Sequence, residues 1–509
     1  MPRLLHAREL TDGTGVHDLA FRLAQAENFF ERATRDALAG SLIESHAMPQ
    51  TAMVYRPAIL LAEGRVAPSG ELAVSADGRV VSRAALPADA KVVELPNRAI
   101  VPGFVNAHSH AFQRLIRGRT EYVAANAKSD DFWAWRDRMY RAAEALNPES
   151  LYRAARQSFL EMLMAGVTTV GEFHYLHRAP GGARYGEREA MSRALIRAAR
   201  DVGIRLVLLR GLYARAGYRQ DAHPTQGRFI EDSPEEALQS VGALTGEYAT
   251  DTLTSFGFAP HSVRALPREW LSAIRDGAGG KPVHMHVSEQ PRENEECRKE
   301  HGRSPAALLE ELGLLQSKFT AVHAIHVEDA DVKRLGSAGV SVCACPSTEQ
   351  NLGDGIVPAD SLRRAGASLC LGSDSQASAD LLDEARQLEG HLRLLRQRRA
   401  VLDPEDGTPQ GLSLRLLDVA SSGGARALGV SAGKLAPGEW ADFVTIDLGH
   451  PVLAGADAAT FPAAWMLAGH SGLVRDVVVG GKHVVRDGLH LAAEAISRDF
   501  ALLCTEMFA

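Results

Sequence analysis

The segment VNAHSHAFQR (105–114) places two histidines one residue apart at the end of an apolar run, AIVPGFV (99–105). Side chains along a strand alternate between faces, so His108 and His110 project to one side while Ser109 faces away. A His-x-His pair alone also occurs on solvated strand edges, so its meaning depends on what other strand ends carry. His286 stands three residues before Glu289, and His323 and Asp374 belong to the ends of further apolar runs. Three neutral imidazoles and one carboxylate, from His108, His110, His286 and Asp374, suit one divalent cation, Zn2+ or Fe2+, with a position left open for water; Zn2+ is the expected ion. Such an ion lowers the pKa of water toward about 7 and makes hydroxide available at neutral pH. Glu289 is placed to collect the water's proton and return it to a leaving nitrogen, and His323 to polarise the substrate or orient the hydroxide. Glu289, His323 and Asp374 are the candidate catalytic groups.

Groups so far apart in the chain need a repeating scaffold to meet. Short β-branched or apolar runs at 99–110, 168–175, 205–213, 254–261, 282–289, 319–326, 340–347 and 367–374 alternate with helical patterns. This alternation predicts a parallel α/β fold, and eight runs predict a closed (β/α)8 barrel with its reactive groups at the C-terminal strand ends. The best-marked helix spans 147–166, with Asn147 as N-cap, Pro148 at the first helical position, Glu149 in the first turn and Gly166 as the stop. Similar patterns at 187–202, 234–246, 304–313 and 328–336 each lie between two runs. The flanks, 53–100 and 431–490, carry short strands with turn signals such as SADGRVV (75–81) and read as antiparallel β. Together they predict a small discontinuous β-sandwich beside a barrel of residues 101–430, followed by a C-terminal helix over 491–509. Residues 1–52 form an N-terminal extension with a helical, Ala/Glu/Arg-rich pattern around 17–44.

A chain of 509 residues can bury a large core and carry an accessory module. A formal charge of −7 gives no sign of a nucleic-acid or membrane partner, which leaves a small molecule as the expected one. The densest basic cluster, RLLRQRR (393–399), falls in a helical pattern interleaved with Leu392, Leu394 and Leu395 and reads as a solvated face. Cys297, Cys343, Cys345, Cys370 and Cys504 are scattered and odd in number, which fits free thiols in a reducing cytosol. Cys343 and Cys345 lack a second pair to complete a thiolate metal site and are read as structural. No run approaches the roughly 20 apolar residues that span a bilayer, and no secretory leader pattern stands at the start, so a cytoplasmic location is expected.

The motifs PGFVNAHSHAFQR, HMHVSEQ, AVHAIH and LGSDS resemble the amidohydrolase superfamily, whose members are metal-dependent (β/α)8 barrels with a small β-sandwich. The resemblance runs from about 53 to 490, and GKLAPGEWADFVTID (433–447) is similar to that superfamily's return into the sandwich. A closer resemblance, to the N-formimino-L-glutamate deiminases of histidine degradation, is carried by HSHAFQR (108–114), FWAWRDRMY (132–140), GEFHYLH (171–177), APHSVRA (259–265), HMHVSEQ (284–290) and STEQNLGDG (347–355). It implies hydrolysis of N-formimino-L-glutamate to N-formyl-L-glutamate and ammonia, with substrate contacts from Gln113, Arg136, Tyr175, His261 and Arg264. Two guanidiniums suit a glutamate, since each can form a bidentate pair with a carboxylate. The competing uses are an ion pair of Arg136 with Asp130, Asp131 or Asp137, a solvated loop position for Arg264, and loop side chains bonded to nearby backbone for Gln113, Tyr175 and His261.

The pattern departs at Ile325 and Gln376, where Thr and His are expected; neither is an assigned ligand, so the departure bears on substrate preference. Many binuclear relatives carry a carboxylated Lys at the end of the fourth strand, which here ends FAPH, so one metal is implied. A homodimer is implied as well. The nearest alternative is an aminohydrolase acting on a purine-like base, which would need an apolar or aromatic slot in place of two carboxylate clamps. A non-catalytic barrel is the alternative outside enzymes, and the intact ligand set and Glu289 oppose it.

Overall fold

The computed structural model describes residues 51–123, 132–221 and 226–508. Of the expected extension, residues 1–50 with the helical pattern at 17–44 lie outside the described residues.

The N-terminal flank forms β1 (Met53–Ala62), β2 (Arg65–Pro68), β3 (Leu72–Val74), β4 (Val80–Val81) and β5 (Lys91–Pro102). β2 and β3 return antiparallel to β1, but β1 and β5 run parallel, from Met53 opposite Lys91 to Leu60 opposite Ile100. The antiparallel expectation fails at that pair because the stretch between the two strands exceeds the dozen or so residues, roughly, that a parallel crossover needs. Gly103 then divides the expected strand 99–110 in two. A Cβ there would lie 2.3 Å from both Thr168 Oγ1 and Cγ2, and the Gly103 N–H donates to Asp442 O at 3.0 Å, so the chain changes sheets at a residue with no side chain to place.

Beyond Gly103, β6 (Phe104–Ser109) opens a ring of parallel strands in chain order: β7 (Val167–His174), β8 (Arg205–Leu212), β9 (Thr254–Pro260), β10 (Val283–Val287), β11 (Phe319–His323), β12 (Ser341–Ala344) and β13 (Ser368–Leu371). Each of the eight expected runs contributes one of these strands. A parallel bridge between Ser109 and Asp374 brings the ring almost to closure, with His110 N donating to Asp374 O and Asp374 N to His108 O, each at 3.0 Å. Closure therefore sets the ends of the first and last strands side by side.

Helices at Pro148–Met164, Ala190–Val202, Pro234–Glu247, Pro305–Glu311 and Asp329–Ser337 occupy the expected positions between strands. Asn147 starts the first of them: its Oδ1 accepts from Glu149 N and Ser150 N at 3.0 Å, and Ser150 Oγ accepts Asn147 N at 2.8 Å. In the helix Leu381–Arg396, Leu392 is buried while Leu394 is 80% exposed, consistent with a solvated outer face.

The C-terminal flank adds β14 (Phe443–Asp447), β15 (Val474–Val479) and β16 (Lys482–Val485), antiparallel to one another, with β14 also antiparallel to β5. Both flanks thus join in one curled mixed sheet of eight strands, with Tyr55, Leu60, Ile100, Phe443 and Val478 in its own apolar core. Arg205 on β8 ties barrel to sheet: its Nε and Nη2 reach Asp442 Oδ2 and Oδ1 at 2.9 and 3.1 Å, with both side chains buried. A helix, Ala493–Phe508, ends the described chain.

Candidate metal centre and substrate cavity

Strand alternation and the Ser109–Asp374 bridge together assemble the expected ligand set. His108 Nε2 and His110 Nε2 each lie 3.3 Å from Asp374 Oδ1, and all ligand-type atoms of His108, His110, His286 and Asp374 fall within 4.8 Å of one another. Two of the rings are aimed from behind. His110 Nδ1–H donates to Phe173 O at 2.9 Å and His286 Nδ1–H to His261 O at 3.1 Å, which leaves Nε2 of each as the free lone pair.

Two observations test whether this set fits a cation. His108 is fully buried and neither ring nitrogen has a hydrogen-bond partner, an arrangement that costs free energy unless something binds there. Burial also holds the imidazoles neutral, as ligation requires: it pushes His110 down to about 3 and lowers His108 and His286. Burial opposes ionisation of Asp374, yet His108, His323 and His110 together hold its carboxyl far below the usual range. The donor set therefore fits a divalent cation with nitrogen and oxygen ligands.

Around the ligands the backbone is strained in a pattern typical of working sites. Ser288, His323, Ala324, Asp374 and Gln376 have φ of 52°, 69°, 51°, 46° and 64°, left-handed at non-glycine residues. His323 Nε2 lies 3.7 Å from both Glu289 Oε1 and Asp374 Oδ2, so the three candidate catalytic groups meet at one edge of the ligand cluster. Burial raises the Glu289 carboxyl. For His323, burial is outweighed by Glu289, Glu349 and Asp374, which push it up to about 10.

Beside the cluster opens a cavity lined by His110, His286, Glu289 and Asp374 together with Gln113, Arg136, Tyr175, His261 and Arg264. All five residues expected to touch substrate are thus brought together, although they come from four separate segments. Gln113 Nε2 donates to Tyr175 OH at 3.0 Å, and the Gln113 carbonyl oxygen is buried without a partner. Arg264 is only 7% exposed, which rules out a solvated loop position. Burial opposes its charge, but Glu293 and the neighbouring tyrosines Tyr213 and Tyr140 raise its pKa. Arg136 approaches Asp137 at 3.9 Å, while Asp130 and Asp131 lie outside the described residues.

Several lining residues escape the sequence reading: Trp135, Met139, Tyr140, Tyr213 and Leu352. Tyr213 is the last residue of an expected strand, and Trp135, Met139, Tyr140 and Leu352 lie within the resembling motifs FWAWRDRMY and STEQNLGDG, where nothing in the residues alone sets them apart as cavity-facing. Glu172 was also missed. Its carboxylate accepts from Ser109 Oγ at 2.6 Å and Ala111 N at 2.8 Å and so braces the loop between the two ligand histidines and the cavity. Gln376 is fully buried and donates to Ser109 Oγ at 3.0 Å, and neither it nor Ile325 lines the cavity. All five cysteines are free, with Cys297, Cys343, Cys345 and Cys370 buried, and no described helix is long and apolar enough to cross a membrane.

Comparison with known proteins agrees with this geometry. The formimidoylglutamate deiminase of Pseudomonas aeruginosa is 40% identical over 438 residues, 85% of this chain and 95% of that protein. A 5-methylthioadenosine/S-adenosylhomocysteine deaminase of Natronomonas pharaonis is 30% identical over 436 residues, 84% and 91% of the two chains. Among solved structures, an amidohydrolase from Brucella melitensis superposes with a TM-score of 0.81 at 32% identity, covering 90% of this chain and 100% of its own. The profile of the amidohydrolase family matches residues 99–484. With barrel, ligand cluster and family profile in agreement over most of its length, the chain belongs to the amidohydrolase family.

Proposed function

We propose that this protein is a metal-dependent deiminase that hydrolyses N-formimino-L-glutamate to N-formyl-L-glutamate and ammonia in histidine degradation. The observation that carries the reading is a pair of guanidiniums, Arg136 and Arg264, lining one cavity with the ligand cluster and Glu289. That arrangement suits a substrate with a carboxylate at each clamp and an amidine at the metal side. The 40% identity to a formimidoylglutamate deiminase supports it.

His108, His110, His286 and Asp374 would hold one Zn2+, which supplies Lewis acidity and a lowered pKa for water. Glu289 takes the proton of the water that adds to the formimino carbon and delivers it to the departing nitrogen. The C–N bond then breaks, and ammonia and the N-formyl product result. His323, within 3.7 Å of Glu289, steadies the developing charge and orients the water. Arg136 and Arg264 bind the two carboxylates, and Gln113, Tyr175 and His261 add oriented donors along the chain between them. The same reading takes the protein as a cytoplasmic homodimer and keeps the division into residues 101–430 for chemistry and 53–100 with 431–490 as the supporting β layer.

A second reading, deamination of a purine-like base, is favoured by the aromatic share of the cavity wall, Trp135, Tyr140, Tyr175 and Tyr213, and by the 30% identical adenosine-type deaminase. One experiment separates the two. Replacing Arg136 or Arg264 by Met is expected to lower kcat/KM for N-formimino-L-glutamate by roughly 10- to 100-fold, as loss of a charged hydrogen bond requires. Wild-type ammonia release from a nucleobase, unaltered in these variants, would instead establish the second reading.

A further inference from the structure

The two ring nitrogens of His323 have different surroundings. Nδ1 lies 3.2 Å from Glu349 Oε1, and the same oxygen accepts the Cys345 N–H at 2.9 Å. Nε2 faces the opposite way, 3.7 Å from Glu289 Oε1 and from Asp374 Oδ2, and is buried without a hydrogen-bond partner. Glu349 is 2% exposed, belongs to the short helix Pro346–Leu352 that follows β12, and does not line the substrate cavity. It is a buried carboxylate with no access to substrate, hydrogen-bonded to a residue at the reacting edge.

The Glu349 oxygen that accepts the Cys345 N–H is placed to accept the His323 Nδ1–H as well, which leaves Nε2 as the nitrogen that faces the site. The backbone makes such a hold necessary. His323, the last residue of β11, and Ala324 just after it are both left-handed, at φ of 69° and 51°, a conformation that persists only when surrounding contacts impose it. Glu349 is itself pinned through Cys345 N, so the restraint runs from the end of β12 to the end of β11. His323, Cys345 and Glu349 form a second buried group whose ligand-type atoms lie within 4.8 Å of one another, and these hydrogen bonds give that group a use that needs no second ion.

We propose that Glu349 is a positioning residue for the hydrolysis, holding the Nδ1–H and the ring orientation of His323 so that Nε2 addresses the water and Glu289. The inference rests on the reading above that His323 serves the reaction, and it requires no contact between Glu349 and substrate.

The first test needs no turnover. In metal-loaded protein labelled with 15N at histidine, the ring signals of His323, identified by their loss in His323→Asn, are expected to report a protonated Nδ1. Glu349→Ala is expected to abolish that fixed state, and unchanged His323 ring signals would overturn the proposal. The second test is a pair of comparisons. Glu349→Ala alone is expected to lower kcat by roughly 10- to 100-fold, with KM and metal content unchanged, and to cost nothing further in a His323→Asn background. An equal loss in both backgrounds, or a loss that appears in KM or in bound metal, contradicts it. Glu349→Met keeps most of the volume, removes the acceptor and serves both tests if the Ala variant does not fold. Wild-type ammonia release from N-formimino-L-glutamate is the separate control: its absence removes the functional reading, whereas the ring signals of His323 judge the role of Glu349 independently.

Discussion

Glu289 lines the same cavity as the ligand cluster and the two arginines, Arg136 and Arg264, and burial raises its carboxyl. Glu289→Gln is expected to reduce kcat by roughly 10²- to 10⁴-fold while the bound metal per chain, measured by elemental analysis, stays the same. A variant with wild-type kcat would remove Glu289 from the reaction. At this scale the clustering of the candidate ligands was legible because the strand period alone puts His108 and His110 on one face, and because His286 and Asp374 close runs of the same kind. Gln113, Arg136, Tyr175, His261 and Arg264 were legible only through motif resemblance, since nothing in their local spacing points to a shared cavity. Glu349 and Glu172 were missed because their partners, His323 and Ser109, lie on other strands. A carboxylate that works through tertiary contact leaves no mark in its own neighbourhood.

The helices between strands carry charges with consequences of their own. Glu384, buried in the helix Leu381–Arg396, accepts hydrogen bonds from Ser347 N at 2.9 Å and from Ser347 Oγ. Burial pushes its carboxyl from 4.5 up to about 8. The folded state therefore binds this proton more tightly than the unfolded chain does, and the associated stability, full below about 4.5, is lost as pH rises toward about 8. Glu384→Gln removes this titration, so wild type is expected to lose stability relative to the variant between these pH values, as read by urea unfolding at several pH points. A constant difference across that range would show that Glu384 stays ionised in the fold. Element boundaries were legible where side chains advertise them: Asn147, Pro148 and Glu149 mark a helix start that the structure reproduces as a full capping box. The division of 99–110 at Gly103 was passed over although Pro102-Gly103 is a local break signal; the close approach of Thr168 that demands a glycine there is a tertiary contact with no mark in the run itself.

Across the whole molecule, the barrel depends on a layer assembled from both ends of the described chain. β5 leads directly into β6, and Asp442, just before β14, holds Arg205 of the barrel in a buried two-point ion pair. Asp442→Ala strands a buried guanidinium and is expected to cost about 3–5 kcal/mol in denaturant unfolding. An unchanged midpoint would mean that the two layers hold together without it. Alternating strands and helices made the barrel legible, since each unit announces itself locally. Parallel pairing of β1 with β5 was hidden, because strand direction depends on the path of the connecting chain and not on the strands' own residues. The central claim is that one cation, held by His108, His110, His286 and Asp374, is required for hydrolysis of N-formimino-L-glutamate. The most direct measurement follows ammonia release and bound metal in the same preparation before chelation, after it, and after metal is restored. One divalent ion per chain, with activity lost on its removal and regained on its return, is the predicted result; full turnover by metal-free protein, or none by metal-loaded protein, would contradict the account.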